Sequence, residues 1–561
     1  MKRNSLLILL SAAVMLFASC GNKGGKSGLL VPKDAAIVVH INSASLSSKL
    51  SWEEISQTNW FKEMSKEAKD TLAQQLLTNP ASSGIDTKAD LVFYMKKQGK
   101  GGYLVFEGSL TDAAAFEKLL KELTKENPQE VKKDGDFSYM FSENEGVVLW
   151  NKSNFAYIAN AGIPDMAANM MGNRRAENHE FLNDSLRIFG QQALTLKGSD
   201  NLDADSRFAD LVKDGSDMHL WMNLAGYYGD MGALMSMMKI NLLLEDNIST
   251  LSVNFDDGKI TAKQKQYYGE EMSKFLSNNK SEPISADVIN RIPSSNVVGV
   301  MAFNYPPKGL QGFLQLIGVD GVANGYLSKL NYSIEEFVKA NKGDVLLAVS
   351  DLSMVTKQDT INYGNGEKPY VYTSTKPDMK VLFAASVNDK AAFEKLVTLA
   401  WESTKGMTDG MPAISYKLEN NWFAASNSSE QTDKFLAGGN SKLPFVDKIA
   451  GHPIGFYVDI NKIIQSTAGS ITGDSSTKAM VDVSLKMWQD IVASGGEYKN
   501  KAIEFSYEVN MVDKTTNSLK QLNQYFDKLA TIKIAERKKY ADVEVTEIPP
   551  ADEPAAIAPS N

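Results

Sequence analysis

"LVFEGSLTDAAAFEKLL" (Leu104–Leu120) returns in the same chain as "VLFAASVNDKAAFEKLV" (Val381–Val397). Phe106, Ser109, Asp112, Ala114, Ala115, Phe116, Glu117, Lys118 and Leu119 recur at matching places. Each copy changes its period midway. After the aspartate, apolar residues fall at i, i+3, i+4 and i+7: Phe116, Leu119, Leu120 and Leu123 in one copy, Phe393, Leu396, Val397 and Ala400 in the other. That spacing predicts one apolar stripe along a helix. Asp112 and Asp389 stand where a side-chain carboxylate accepts the free amides of a first helical turn. Each block is therefore expected to be a strand that turns into an amphipathic helix covering a sheet face.

Pieces around the block recur in the same order. "LVPKDAAIVVHIN" (Leu30–Asn42) resembles "RIPSSNVVGVMAFN" (Arg291–Asn304), and "TKADLVFYM" (Thr87–Met95) answers "NKGDVLLAVSD" (Asn341–Asp351). "SRFADLVKDGSDMHLWMNL" (Ser206–Leu224) answers "LPFVDKIAGHPIGFYVDI" (Leu443–Ile460), and Ser249–Tyr268 answers Gly495–Met511 as a hairpin-like region. The collinear series predicts two duplicated halves, 29–280 and 281–540. Ile37, Val39 and Ile41 alternate with Val38, His40 and Asn42 as on a strand, and Met218, Leu220, Met222 and Leu224 do the same. Asp257-Gly258 reads as a hairpin turn, because both positions tolerate positive φ. Helical patterns run through Trp52–Leu77, Asp165–Phe189 and Lys514–Lys539. The fold class expected is α+β: two duplicated halves, each a largely antiparallel sheet covered by amphipathic helices. The polar stretch Asp351–Met379 replaces the short turn Lys96–Gly102, as either an elongated hairpin or a partner-contacting lip.

The ends of the chain read differently. Lys2 and Arg3 precede a compact apolar run, Leu6 to Phe17, then Ala18 and Ser19, so 1–19 is expected to be a signal peptide. The run is shorter than the roughly 20 apolar residues that span a bilayer. Phe17-Ala18-Ser19-Cys20 resembles the lipobox of bacterial lipoproteins, with Phe17 departing from the usual leucine. The resemblance implies cleavage before Cys20 and lipid attachment, such as palmitate, at its thiol. Cys20 is the single cysteine of 561 residues, so it has no disulfide partner within the chain. Residues 20–28 then form the lipidated Cys and a flexible, Gly-rich tether. In Bacteroidota lipoproteins, acidic residues soon after the cysteine tend to mark export to the surface; here Gly21, Asn22, Lys23, Gly24 and Gly25 follow. The expectation is a lipid anchor in the outer membrane with the body facing the periplasm. Residues 541–561 lack any periodicity and are expected to be a disordered tail.

The net charge of −9 and the absence of a basic patch interleaved with aromatics argue against a nucleic-acid partner. His40, His179, His219 and His452 lack ligand spacing and read as ordinary core or surface histidines. No G-x-S-x-G elbow or phosphate-binding glycine loop is present. "DNLDADSRFADL" (Asp200–Leu211) lacks the central glycine of a calcium loop and reads as a capped helix entry before Phe208. The Met-dense stretch Gly229–Leu244, with Met166, Met170 and Met171, reads as a buried helix or, alternatively, the lining of an apolar groove. No catalytic, metal-binding or cofactor-binding residues are expected, and no cofactor.

The lipobox, the "VPKDA" entry (Val31–Ala35) and the doubled "AAFEKL" block together resemble a Bacteroidota lipoprotein family, domain of unknown function 4836. The resemblance covers nearly the whole mature chain. It implies no activity and carries over no catalytic residues. The function expected is that of a membrane-anchored envelope lipoprotein acting as a non-enzymatic binding or scaffold protein. Its partners would be the membrane, through the lipid, and an envelope protein or small apolar ligand, held where the halves meet. The rivals are an envelope-polymer hydrolase built on Asp or Glu pairs and a lipid-handling lipoprotein using the Met-rich stretch.

Overall fold

The computed structural model describes residues 29–67, 80–124, 128–142, 146–162, 180–228, 239–361, 370–404, 414–439, 441–469 and 475–541. The signal peptide, Cys20, the tether, residues 542–561, Met166, Met170, Met171, His179 and Met231 to Met238 lie outside the described residues.

Eighteen strands form one sheet. The first ten are β1 (Ile37–Ile41), β2 (Leu91–Gln98), β3 (Gly101–Ser109), β4 (Lys132–Asp134), β5 (Phe137–Ser142), β6 (Gly146–Trp150), β7 (Asn154–Asn160), β8 (Met218–Asn223), β9 (Ile248–Asp256) and β10 (Lys259–Tyr267). The rest are β11 (Val297–Asn304), β12 (Asn341–Ile361), β13 (Tyr370–Val387), β14 (Ser415–Glu419), β15 (Trp422–Ser426), β16 (Ile454–Asp459), β17 (Trp488–Lys499) and β18 (Ala502–Met511). Every pairing is antiparallel. Across the sheet the order is β4-β5-β6-β7-β3-β2-β1-β8-β9-β10, then β18-β17-β16-β11-β12-β13-β15-β14. Read outward from the β10–β18 seam, the connections match: β10-β9-β8-β1-β2-β3-β7-β6 on one side, β18-β17-β16-β11-β12-β13-β15-β14 on the other. The β4–β5 hairpin has no counterpart among the described residues.

The repeated block builds what its two periods predict. β3 runs into helix Ala113–Leu123, whose Asp112 cap accepts from Ala114 N at 2.9 Å and Ala115 N at 3.0 Å. β13 runs into helix Lys390–Thr404, where Asp389 accepts from Ala392 N at 2.9 Å. Phe116 packs against Trp150 and Phe155, and Phe393 against Phe423. The two helices therefore lie on corresponding strands of the sheet.

Three sequence readings need correction in detail, and the structure fixes the deeper face of β1 and β8, which alternation leaves open. The pattern at Trp52–Leu77 breaks into helices Trp52–Ser56 and Asn59–Glu67, as far as the described residues run. The second part of the 165–189 pattern is helix Asn183–Leu194. The last helix is Ser518–Ala541, so Ala541 is helical rather than part of a tail. On β1 and β8 the more deeply buried face carries Val38, His40, His219 and Trp221, not the aliphatic row Ile37, Val39, Met218 and Leu220. Both faces of this sheet region are covered, so alternation alone does not mark which one is deeper.

The stretch 351–379 is an elongated hairpin. β12 and β13 pair on past a bulge at Ser350/Ser353, from Ser353↔Asp378 to Ile361↔Tyr370, beyond the ends of β11 and β15. Among the described residues this arm pairs with no other strand, and it exposes Ile361, Tyr370 and Val371.

The two sides of the seam are joined by strand pairing and by helix packing. β10 and β18 pair from Lys259↔Asn510 to Tyr267↔Ala502, with Lys259 Nζ 2.8 Å from Glu508 Oε1 and Tyr507 donating to Gln264 Oε1 at 2.7 Å. Helix Ser518–Ala541 crosses back onto helix Asn59–Glu67: Trp60 Nε1 donates to Asn523 Oδ1 at 2.9 Å, Asn59 Nδ2 to Thr531 Oγ1 at 2.9 Å, and Asp527 accepts from Asn59 N.

Candidate functional site

A row of polar residues crosses the buried face of the first side. The register sets Ala156, Glu107, Val92, His40, His219 and Ser252 directly opposite one another on β7, β3, β2, β1, β8 and β9. Opposed residues of antiparallel strands share a face, so Glu107 and both histidines look into the same core. Helix Asn183–Leu194 closes that core with Leu186, Ala193 and Leu194, and helix Ser206–Val212 with Phe208 and Leu211.

His40 and His219 are each 2% exposed. Their rings stack 5.1 Å apart, with Nδ1 to Nδ1 at 2.9 Å. Two lone pairs cannot face each other at that distance, so one Nδ1 donates and the other accepts. At the far side of the pair, His219 Nε2 lies 2.8 Å from Asp214 Oδ1. Burial pushes the Asp214 carboxyl up, but hydrogen bonds from His219, Ser216 and Ser252 hold it well below the usual carboxylate range. It is therefore the acceptor, and His219 Nε2 the donor. At the near side, Asp90 Oδ2 lies 3.2 Å from His40 Nε2, close enough for an ion pair but outside hydrogen-bond geometry. A proton on His40 Nε2 would face that carboxylate. Among the described residues no three His, Cys, Asp or Glu side chains are placed to hold a metal ion.

Glu107 is the other buried ionisable group of the row. Leu30 N donates to its Oε1 at 3.1 Å, while Oε2 is buried with no hydrogen-bond partner. The bond favours the ionised form, but burial outweighs it and pushes the carboxyl up to about 8. The Tyr94 hydroxyl on the neighbouring strand is also buried without a partner, and burial raises it well above its ordinary value. The strap Leu29–Val31 covers this corner. It is fastened by Asn201 Nδ2 to Leu29 O at 2.8 Å, by Leu202 N to Val31 O at 2.7 Å, and by Lys33 N to Asp200 O at 2.9 Å.

The remaining sequence candidates fall elsewhere. Asp205, within Asp200–Leu211, caps helix Ser206–Val212 through Arg207 N, as the capped-entry reading expects. His452 is half-exposed beside Glu497. Asp459 and Asp490 oppose each other across β16 and β17. Asp459 accepts from Lys462 N on Oδ1 and from the Tyr457 hydroxyl on Oδ2, and Asp490 Oδ1 accepts from Asn510. Where the two sides meet, an open cavity of about 270 Å³ lies between Leu50, Glu54 and Thr58 and the helix residues Lys520, Asn523 and Asp527. Lys520 Nζ closes one end on Glu54 Oε1 at 2.7 Å.

Asp90, Asp214 and Glu107 were missed by motif reading because they belong to no motif. One signal for Glu107 was available: it holds the place that Ala384 holds in the second copy of the block. For the histidines the signal was weaker, since only the β1–β8 pairing brings them together.

These features define an α+β protein dominated by one large antiparallel sheet, with a buried polar row beneath its N-terminal strap. The family profile for a domain of unknown function (DUF4836) matches residues 29–435, and the chain belongs to that family. No curated protein matches it. Among solved structures, crystal form I of TP0453 is similar at 10% identity, covering 46% of this chain and 88% of that one at a TM-score of 0.21. Crystal form IV is similar at 10% identity, covering 44% and 85% at a TM-score of 0.22. Scores this low carry no argument about fold or function.

Proposed function

We propose that this protein is a membrane-anchored envelope lipoprotein that works as a non-enzymatic binding or scaffold protein. The observation that carries the reading is Cys20, the only cysteine, set at the end of an apolar run and ahead of a Gly-rich tether. Acyl chains add about 0.8 kcal/mol per buried methylene, so more than one chain on a single cysteine gives a lasting anchor. The anchor is placed in the outer membrane, with the body in the periplasm, because no acidic residue follows Cys20 closely. Among the described residues no helix is long and apolar enough to cross a membrane.

We read the body as a duplication. The repeated block, its two capped helices and the matching strand connections on either side of the β10–β18 seam support that reading. The surfaces offered to a partner are the cavity beside Glu54 and Lys520 and the exposed end of the β12–β13 arm.

The test is isolation of the full chain from detergent-solubilised outer membranes. An envelope protein or apolar ligand is expected to come with it, and adding that molecule back should raise the melting temperature. Recovery of the chain alone, with no shift on adding extracted envelope lipids, would overturn the binding reading.

A further inference from the structure

We propose that Glu107 is a pH-operated latch for the strap Leu29–Val31: its protonated form keeps the strap docked, and its ionisation releases it. The geometry carries the inference. The carboxyl is buried beneath the strap, one oxygen holds the strap's Leu30 N–H at 3.1 Å, and the other oxygen meets no donor. A charge buried there with one hydrogen bond is costly. Lifting the strap would open the carboxyl on the side where Leu30 lies.

Other titratable groups stand around the corner without relieving it. Tyr94 lies on β2 and Tyr103 on β3, both pushed up by burial. Beyond Val92 in the row is His40, paired with His219 and facing Asp90. On the strap side Asp34 is ion-paired with Lys96 at 2.9 Å. From the segment that fastens the strap come Asp200, 3.4 Å from Lys33, and Asp203, which burial raises. None of them bonds Glu107 Oε2. The elevated value of the Glu107 carboxyl comes from its burial, against the lowering effect of the Leu30 N–H.

The strap joins the fold to the segment that carries Cys20. On the anchored reading proposed above, its release would lengthen the leash by the reach of three residues, roughly 10 Å.

The test is hydrogen exchange of peptides covering residues 29–36 in the full chain, from pH 5 to pH 9, corrected for the intrinsic rate. Each pKa unit of difference between docked and released strap is tenfold in the docking equilibrium. Wild-type protection should fall at least about tenfold between pH 5 and pH 8.5, while seam peptides hold theirs. Glu107→Gln keeps the acceptor for Leu30 N–H and loses the charge, so its strap should stay protected throughout. Wild-type protection that does not change with pH, or a Glu107→Gln strap that loosens as steeply, would overturn the latch. Neither outcome depends on the lipid, so failure of the anchor reading shows separately as an unmodified Cys20.

Discussion

The histidine pair shows how much one strand pairing can decide. His40 and His219 are far apart in sequence and share a hydrogen bond only because β1 and β8 lie side by side. Removing one ring leaves the other with an unmet buried nitrogen, at roughly 1–3 kcal/mol. His40→Ala and His219→Ala should each destabilise by about that much beyond the packing loss. The double variant should cost less than the two singles together, by about 0.5–3 kcal/mol in a denaturant cycle. Strict additivity would mean that the rings do not interact. Glu107 titrates in the opposite sense from most native carboxyls. Folded, it keeps its proton up to about pH 8; unfolded, it loses it near 4.5. Between those values the folded chain holds more protons, so its contribution to stability falls as pH rises. Glu107→Gln should therefore match wild type at pH 4 and exceed it by at least about 1 kcal/mol at pH 8.5, read as the difference in urea midpoints times m. The side chains at this corner were in plain view in the sequence, but their neighbours were not, since periodicity reports faces and never partners.

Elements were far more legible than contacts. The period switch and the aspartate caps placed both repeated helices, because local amide satisfaction and an apolar stripe are written in consecutive residues. Asp112→Ala should cost about 1 kcal/mol of stability and fray helix Ala113–Leu123, visible as faster exchange in its first turn. Turn chemistry was legible in part. In the Asp257-Gly258 turn only Gly258 takes positive φ, at 69°. The β17–β18 turn instead sets Asn500 and Lys501 at φ 50° and 64°. A lysine there bears a Cβ clash of about 1 kcal/mol, so Lys501→Gly should raise the melting temperature, unless loosening of the unfolded chain cancels the gain. What the pattern could not give was depth. On β1 and β8 the aliphatic row and the His/Trp row are both covered, and helices that pack from distant sequence decide which lies deeper.

At the scale of the whole molecule the seam matters most. β10 and β18 turn eighteen strands into one sheet, and helix Ser518–Ala541 ties the end of the chain to the helices after β1. Gly258 stands at the end of that seam: its amide donates to Thr516 O at 2.9 Å, and a Cβ there would come within 2.4 Å of Lys514 Cα. Gly258→Ala should destabilise by at least about 1 kcal/mol and lower exchange protection along β10 and β18 before it does so in β1 and β2. The joining of the two sides by strand pairing was not legible, because no local pattern names the partner of an edge strand. On the reading proposed above, the N-terminal segment has the task of attachment. The central claim is therefore tested by mass spectrometry of the N-terminal peptide of the chain isolated from its own membranes. The account predicts a mature chain that begins at Cys20 and carries acyl chains, which Cys20→Ala loses together with membrane retention. An unmodified Cys20 in a chain that still fractionates with the membrane would contradict it.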